Sequence, residues 1–314
     1  MPTWIPISAS GPYPAGPSSG AAAAVAGSGL VERMRWATGS QEAAVERFYG
    51  QGAAHFGEFH GGYLNFGLWE EGVGSYLQAA ENLVHRLGTL LGLTGSSRLL
   101  DVACGMGTQD VYLFDHFGQP EIDAIDITWD HLRHAEGRAR RRGCGQRVRF
   151  RHGSAVAIPF ADGAFTHLLS IEGPVHFGTR ERFFHETLRV LEPGGVLALS
   201  DYTLKRPPRN PIERLILAGT RALWRIPKEN LWTTDEYRRR LSAAGFADVD
   251  VQEVGALTIP GYFFEQRRPE VRRELARIRG FVAGRLGHVI DLVACGVYRM
   301  GLAEYVLVRA RKPR

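Results

Sequence analysis

The residues whose types and spacing best suit chemistry lie in Leu99-Leu100-Asp101-Val102-Ala103-Cys104-Gly105-Met106-Gly107-Thr108 and in Asp126, 21 positions beyond Gly105. An apolar strand runs into a glycine turn and a helix, and the next apolar strand, Ile122-Asp123-Ala124-Ile125-Asp126, ends on a carboxylate. This is the layout of a nucleoside-binding βαβ unit, with Asp126 placed for ribose hydroxyls. A dinucleotide fingerprint starting at Gly105 would need a glycine where Asp110 stands. Asp101 and Asp110 would also repel a pyrophosphate at the helix N-terminus. They suit a ligand that carries a cationic sulfonium and an ammonium group.

With these motifs in register, the chain resembles class I S-adenosylmethionine-dependent methyltransferases of the small-molecule type, over roughly residues 60–310. The resemblance implies S-adenosyl-L-methionine as cofactor. Gly105 and Gly107 would let the backbone approach the methionine part, where a side chain would clash. Ala103 replaces the family's usual first glycine and is small enough to keep the site. Asp101 would receive the amino group, Asp126 both ribose hydroxyls, and Ile127 would cover one adenine face. The family's Gly-Asp-Ala turn, which holds the adenine amino group, corresponds to Gly153-Ser154-Ala155, so Ser154 departs from a carboxylate. Tyr63-Leu64-Asn65-Phe66-Gly67-Leu68-Trp69 resembles the segment with which such enzymes close over the cofactor, implicating Tyr63 and Trp69. The alternative is an aromatic cap on the core.

Methyl transfer from a sulfonium is an in-line displacement, so the protein orients the partners, excludes water and removes a proton where one is lost. The fourth strand ends Ser170-Ile171-Glu172-Gly173-Pro174-Val175-His176, lacking the Asn/Asp-Pro-Pro-Tyr motif of enzymes that methylate amino nitrogens. It resembles instead sterol-type and isoprenoid C-methyltransferases and related natural-product enzymes. Glu172 is the first candidate base and His176 the second, because burial brings a carboxylate's basicity toward neutrality. A structural acid holding a loop amide is the alternative for Glu172, and a packing histidine for His176. His60, Trp224, Trp232, Tyr262 and Phe263 are candidate contacts for a mainly apolar acceptor. No cluster has metal-ligand spacing, so no metal is expected.

These residues must be positioned by strands alternating with helices, which implies a doubly wound parallel sheet. Strands are expected at 99–103, 121–127, 148–152, 165–171, 195–201, 247–254 and 303–310, and helices at 77–93, 108–117, 129–142, 179–191 and 234–244. Glu192-Pro193-Gly194-Gly195 should stop one helix and turn the chain into the next strand. The resemblance adds an antiparallel last strand. The fold expected is therefore α/β, a Rossmann-like doubly wound seven-stranded sheet with an N-terminal helical cap and lid inserts. Residues 1–38, rich in Gly, Pro, Ser and Ala, read as a flexible tail. Residues 39–314 read as one methyltransferase domain: cap 39–95, cofactor-binding core 96–204, lid insert 205–232, and a C-terminal part, 233–314, with a second insert.

Composition narrows the partners. Three scattered cysteines without a C-x-x-C pair speak against a zinc site or a disulfide framework. No uninterrupted run of about 20 apolar residues offers a membrane span, and with no signal peptide at Met1 a cytoplasmic location is the default. The net charge of +5 raises nucleic acid as a partner. However, the densest basic run, Arg138-Ala139-Arg140-Arg141-Arg142, reads first as a solvated helix end and lacks interleaved aromatics. The expectation is methyl transfer to carbon or oxygen of a small, largely apolar metabolite, such as an isoprenoid or other natural-product intermediate. An RNA methyltransferase, or a protein of this fold that binds the cofactor without transferring methyl, are the alternatives. Oligomeric state is left open.

Overall fold

A computed structural model describes residues 41–50, 60–279 and 293–314. The tail expected at 1–38 lies outside them. Seven strands form one sheet: β1 Arg98–Val102, β2 Glu121–Asp126, β3 Val148–His152, β4 Phe165–Ile171, β5 Leu191–Leu204, β6 Ala247–Glu253 and β7 Ala303–Arg311. Their order is β3-β2-β1-β4-β5-β7-β6, with β7 antiparallel to both neighbours. The seven-stranded sheet with its reversed last strand is thus as expected. Leu99 and Leu100 in β1 and Leu168 and Leu169 in β4 are fully buried, because helices cover both faces of the sheet. The chain leaves β1 toward β2 and β4 toward β5 in opposite directions, so a crevice opens between the carboxyl ends of β1 and β4.

Helices follow where local chemistry favours them. Before the sheet come α1, Gln41–Gly50, and α2, Tyr76–Leu91. The latter is capped by the Ser75 side chain and ended by Gly92 at φ 74°, a conformation that favours glycine. Next are α3 (Thr108–His116), α4 (Trp129–Arg142) and α5 (Arg180–Val190). Gly107 opens α3 at φ 70°, and a Cβ there would come within 2.7 Å of Ala135 and Phe150. Glycine is obligatory at that approach. The basic end of α4 is tied down in part, Arg142 pairing with Asp115 at 2.8 Å.

One expected boundary is wrong. Glu192 to Gly195 do not separate helix from strand but lie within β5, as a bulge where pairing jumps from Phe165–Leu191 to His167–Val196. The reason is long-range: the Gly194 N–H donates to the carbonyls of Lys312 and Pro313 beyond β7, and the Lys312 N–H donates back to the Gly195 carbonyl, so the turn at Gly194, φ 83°, is held to the sheet edge. The segment after β5 carries α6 (Pro211–Leu223) and a 3₁₀ turn at Lys228–Asn230. Then come α7 (Thr234–Ala244), α8 (Ile259–Glu265) and α9 (Pro269–Arg279), with residues 293–299 also helical. Among the described residues no helix is long and apolar enough to cross a membrane.

Candidate active site

Two cavities open beside the carboxyl ends of the strands. The first is lined by Ala103, Cys104, Gly105, Met106 and Gln109 after β1, Asp126, Ile127 and Thr128 after β2, and Gly153, Ala155 and Val156 after β3. The second, about 620 Å³, is walled by Phe66, Tyr202, Leu217, Trp224, Tyr262 and Phe263 with Arg47, Arg221 and Arg225. Tyr49, Leu64, Glu172 and His176 line both, forming the neck between them.

The loop after β1 is wound left-handed at Ala103, Gly105 and Gly107, with φ of 66°, 56° and 70°. For Ala103 this costs about 1–2 kcal/mol, and it is held because the Ala103 and Cys104 N–H groups both donate to the Ile125 carbonyl, at 2.8 and 3.1 Å. Asp126 locks the loop further. Its Oδ2 accepts the Gly105 N–H at 2.9 Å and its Oδ1 the Thr128 N–H at 2.7 Å. His131 Nδ1 stands 3.6 Å from Oδ1, an electrostatic contact rather than a hydrogen bond. Burial pushes this carboxyl up, but His131 and the two amides outweigh it and hold Asp126 below the usual carboxylate range. Each ionised oxygen keeps a second lone pair for a ligand hydroxyl.

Asp101 lies behind this loop, fully buried, and does not line the cavity. The expectation that it receives the ligand's amino group meets a geometric obstacle, since Gln109 stands on the wall and donates to Asp101 Oδ2 at 2.6 Å. Asp101 and Asp110 are neighbours, and burial drives both carboxyls upward, Asp101 to about 7. Gly107 serves packing and is not on the wall either.

Tyr63 and Trp69 also miss the cavity. Tyr63 is buried in the core, and Trp69 Nε1 donates to the Phe66 carbonyl at 2.9 Å. Their neighbours Gly62, Leu64 and Asn65 line the wall instead, anchored where Thr108 Oγ1 donates to the Gly62 carbonyl at 2.9 Å. The side chain of Ser154 is turned to Glu42, whose carboxylate accepts its hydroxyl and does line the cavity.

At the neck, Glu172 adopts φ 57°, a strained conformation secured by its N–H donating to the Ser200 carbonyl at 2.9 Å. Its Oε1 accepts the Phe66 N–H and the Tyr305 hydroxyl, both at 2.7 Å, and Oε2 faces the Tyr202 hydroxyl at 3.4 Å. Burial raises this carboxyl to about 7, against those three donors. His176 sits in a 3₁₀ turn, Pro174–His176, with Nε2 2.9 Å from the Tyr49 hydroxyl. Burial pulls its imidazole down to about 4, so it is neutral near pH 7. Asn230 holds that turn, its Nδ2 donating to the carbonyls of Val175 at 3.1 Å and Phe177 at 2.8 Å. Asn230 is itself held by the buried Arg180, which pairs with Asp201 at 2.8 Å.

Of the candidate acceptor contacts, Trp224, Tyr262 and Phe263 line the second cavity. Trp232 does not. It is 3% exposed, packed on Phe184 and Tyr237 with the Arg180 guanidinium 5.1 Å from its ring, and belongs to the core. His60 is buried edge-on to Tyr76 at 4.6 Å and lines neither cavity. Sequence reasoning missed Glu42 and Tyr49, which α1 delivers from 55 or more residues upstream of the glycine loop. It also missed Gln109, Asn230, Tyr202 and Tyr305. The signal for these was polarity alone, Gln109 and Tyr305 falling on an expected helix and strand, Tyr202 just past a strand and Asn230 in the lid insert.

Residues 99–195 match the methyltransferase domain family. The chain is 33% identical to erythromycin 3''-O-methyltransferase of Saccharopolyspora erythraea over 204 residues, 64% of this chain and 67% of that protein. It is 28% identical to 27-O-demethylrifamycin SV methyltransferase of Amycolatopsis mediterranei over 260 residues, 80% and 90% of the two. The crystal structure of the [4+2]-cyclase SpnF superposes with a TM-score of 0.69 at 26% identity, covering 86% of this chain and 96% of that one. The chain belongs to the class I S-adenosylmethionine-dependent methyltransferases. It is an enzyme of small-molecule methylation whose cofactor is S-adenosyl-L-methionine.

The first cavity fits that cofactor chemically. An ionised Asp126 suits hydroxyl donors, and Ile127, Ala155 and Val156 present apolar surface for a base.

Proposed function

We propose that this enzyme O-methylates a hydroxyl on a large, mainly apolar natural product held in the second cavity, and that His176 accepts the hydroxyl's proton. One observation carries this reading: His176, with the Tyr49 hydroxyl 2.9 Å from its Nε2, lines both cavities where they meet, while the Glu172 carboxylate beside it is taken up by three donors. The cofactor, when bound, supplies an electrophilic methyl on a sulfonium. Asp126 would hold its ribose hydroxyls, Gly105 and Ala103 its methionine part through the backbone, and Ile127 and Ala155 its base. Gln109, rather than Asp101, would face the amino group.

An acceptor hydroxyl seated at the neck would take the methyl group that the cofactor supplies, and this chain's part is to hold the two in line and take up the proton. The acceptor's proton passes toward His176 Nε2, with the Tyr49 hydroxyl between them. Burial and the nearby Glu172 push the Tyr49 phenol up, so it relays a proton without being left as phenolate. Glu172 positions: three donors occupy it, and through the Phe66 N–H it seats the segment between the cavities. Phe66, stacked on Tyr262 at 4.0 Å, and Trp224 present flat apolar surface to the acceptor. A cavity of this size suits a drug-sized ligand. The two relatives named above, which modify oxygens of erythromycin and rifamycin derivatives, support the acceptor class.

The test is incubation with methyl-labelled cofactor and a panel of hydroxylated macrolide and ansamycin acceptors, each paired with its deoxy analogue. S-adenosylhomocysteine and O-methyl product should form with the hydroxylated member alone. Label on carbon would overturn the oxygen assignment. A cyclised, unlabelled product would place the chain with SpnF in activity as well as in fold.

A further inference from the structure

The far end of the first cavity has a carboxylate that the turn after β3 does not supply. We propose that Glu42, on α1, receives the adenine amino group and makes that helix part of cofactor recognition. The inference rests on Asp126 holding the ribose, as proposed above. Ser154, in the turn itself, has its hydroxyl committed. It donates to Glu42 Oε1 and accepts the Val156 N–H at 3.1 Å. Around it Ile127, Ala155 and Val156 are apolar, so Glu42 is the acceptor on that stretch of wall. One carboxylate oxygen is oriented by Ser154, which leaves the other to accept an N–H from a base. The half-buried site makes such a bond to a charged group stronger than it would be in water.

The same helix reaches the neck. Gln41 Nε2 donates to the His176 carbonyl at 3.1 Å and to the Arg225 carbonyl at 2.6 Å, and Tyr49 meets His176 at its far end. An amino group held by Glu42 therefore anchors the element that brings Tyr49 to His176. A 6-oxo group in its place would turn an acceptor toward a carboxylate and be rejected.

The measurement is equilibrium binding of S-adenosylhomocysteine and S-inosylhomocysteine to the full chain and three variants. The unaltered protein should prefer the adenosyl ligand by roughly tenfold to a hundredfold. Glu42→Ala should bring that ratio close to one, and adding Ser154→Asp should restore it. An unchanged ratio in Glu42→Ala, or an equal loss for both ligands, would show that Glu42 merely seats the helix and would overturn the proposal. Asp126→Ala should weaken both ligands alike. If it weakens neither, the ribose placement fails on its own account, whatever the Glu42 ratio shows.

Discussion

The first cavity takes most of its wall from residues 103–177, the loops that follow β1 to β4 in order. The second draws on residues 172–176 of that same stretch and collects the rest of its wall from 44–49, 64–66, 202–231, 259–266 and 294–303, segments that meet only when the chain is folded. The first is held by backbone: N–H groups of residues 103, 104, 105 and 128 are satisfied within the β1–β2 loops. The second is held by side chains, with aromatic rings packed on one another and Arg180, Asp201 and Asn230 tying the lid segment to the core. A ligand common to the whole family needs a constant frame. An acceptor that differs from enzyme to enzyme needs walls that can be exchanged without disturbing it.

If the contrast is sound, substitutions at the neck and in the two cavities should separate cleanly. His176→Ala should lower kcat by about a hundredfold to ten-thousandfold, the usual range for a general base, while cofactor affinity stays within a few-fold. Equal losses in both would mean a packing role. Asp126→Ala should raise the cofactor dissociation constant by at least roughly a hundredfold, because two hydroxyl bonds to a charged group and the loop's clamp go together. Acceptor binding measured with the cofactor at saturation should be little altered.

The two lid tryptophans sharpen the comparison further. Trp232→Ala should cost about 3–5 kcal/mol of stability as a core truncation, read by denaturant unfolding. Trp224→Ala should leave the midpoint nearly unmoved and raise acceptor KM roughly tenfold, for the loss of apolar contact. A reversal of these two phenotypes would remove the distinction between lid core and cavity wall.

The smallest effects concern pH. Glu172 keeps its proton to about 7 when folded, above its usual 4.5, so its contribution to stability is full below 4.5 and is lost as pH rises through 7. His176, drawn from 6.5 to about 4, acts in the other direction, its contribution falling away as pH drops from 6.5 toward 4. In melting curves, Glu172→Gln should flatten the first slope and His176→Phe the second. Slopes unchanged from the parent would mean that neither group is buried as described.

The legible parts were those in which spacing along the chain equals proximity in space. The loop at Gly105 and the carboxylate at Asp126 face each other across one βαβ unit, so their separation in sequence already implied their contact. The bulge at Glu192 to Gly195 was misread because the residues that hold it, Lys312 and Pro313, lie beyond β7. Trp224 and Trp232 are eight positions apart in the same segment, alike in type, and composition cannot tell which faces a cavity. The answer depends on Arg180 and Asp201, which claim Trp232 for the core. That Asp101 stands off the cavity wall was hidden for a similar reason, since a residue near the end of a strand can face the cavity or the helix behind it.

By itself, the order of apolar strands, glycine turns and acids determined the fold and the cofactor and brought Glu172 and His176 forward as candidate bases, because hydrophobic period and local backbone geometry are written in neighbouring residues. Only the tertiary structure decided that Glu42 and Tyr49 line the first cavity, that Glu172 is occupied by three donors while His176 is neutral, and which aromatic rings line the second cavity. Those outcomes depend on burial and on contacts between residues far apart in the chain, and the energy of a buried charge or hydrogen bond is set by what surrounds it in space.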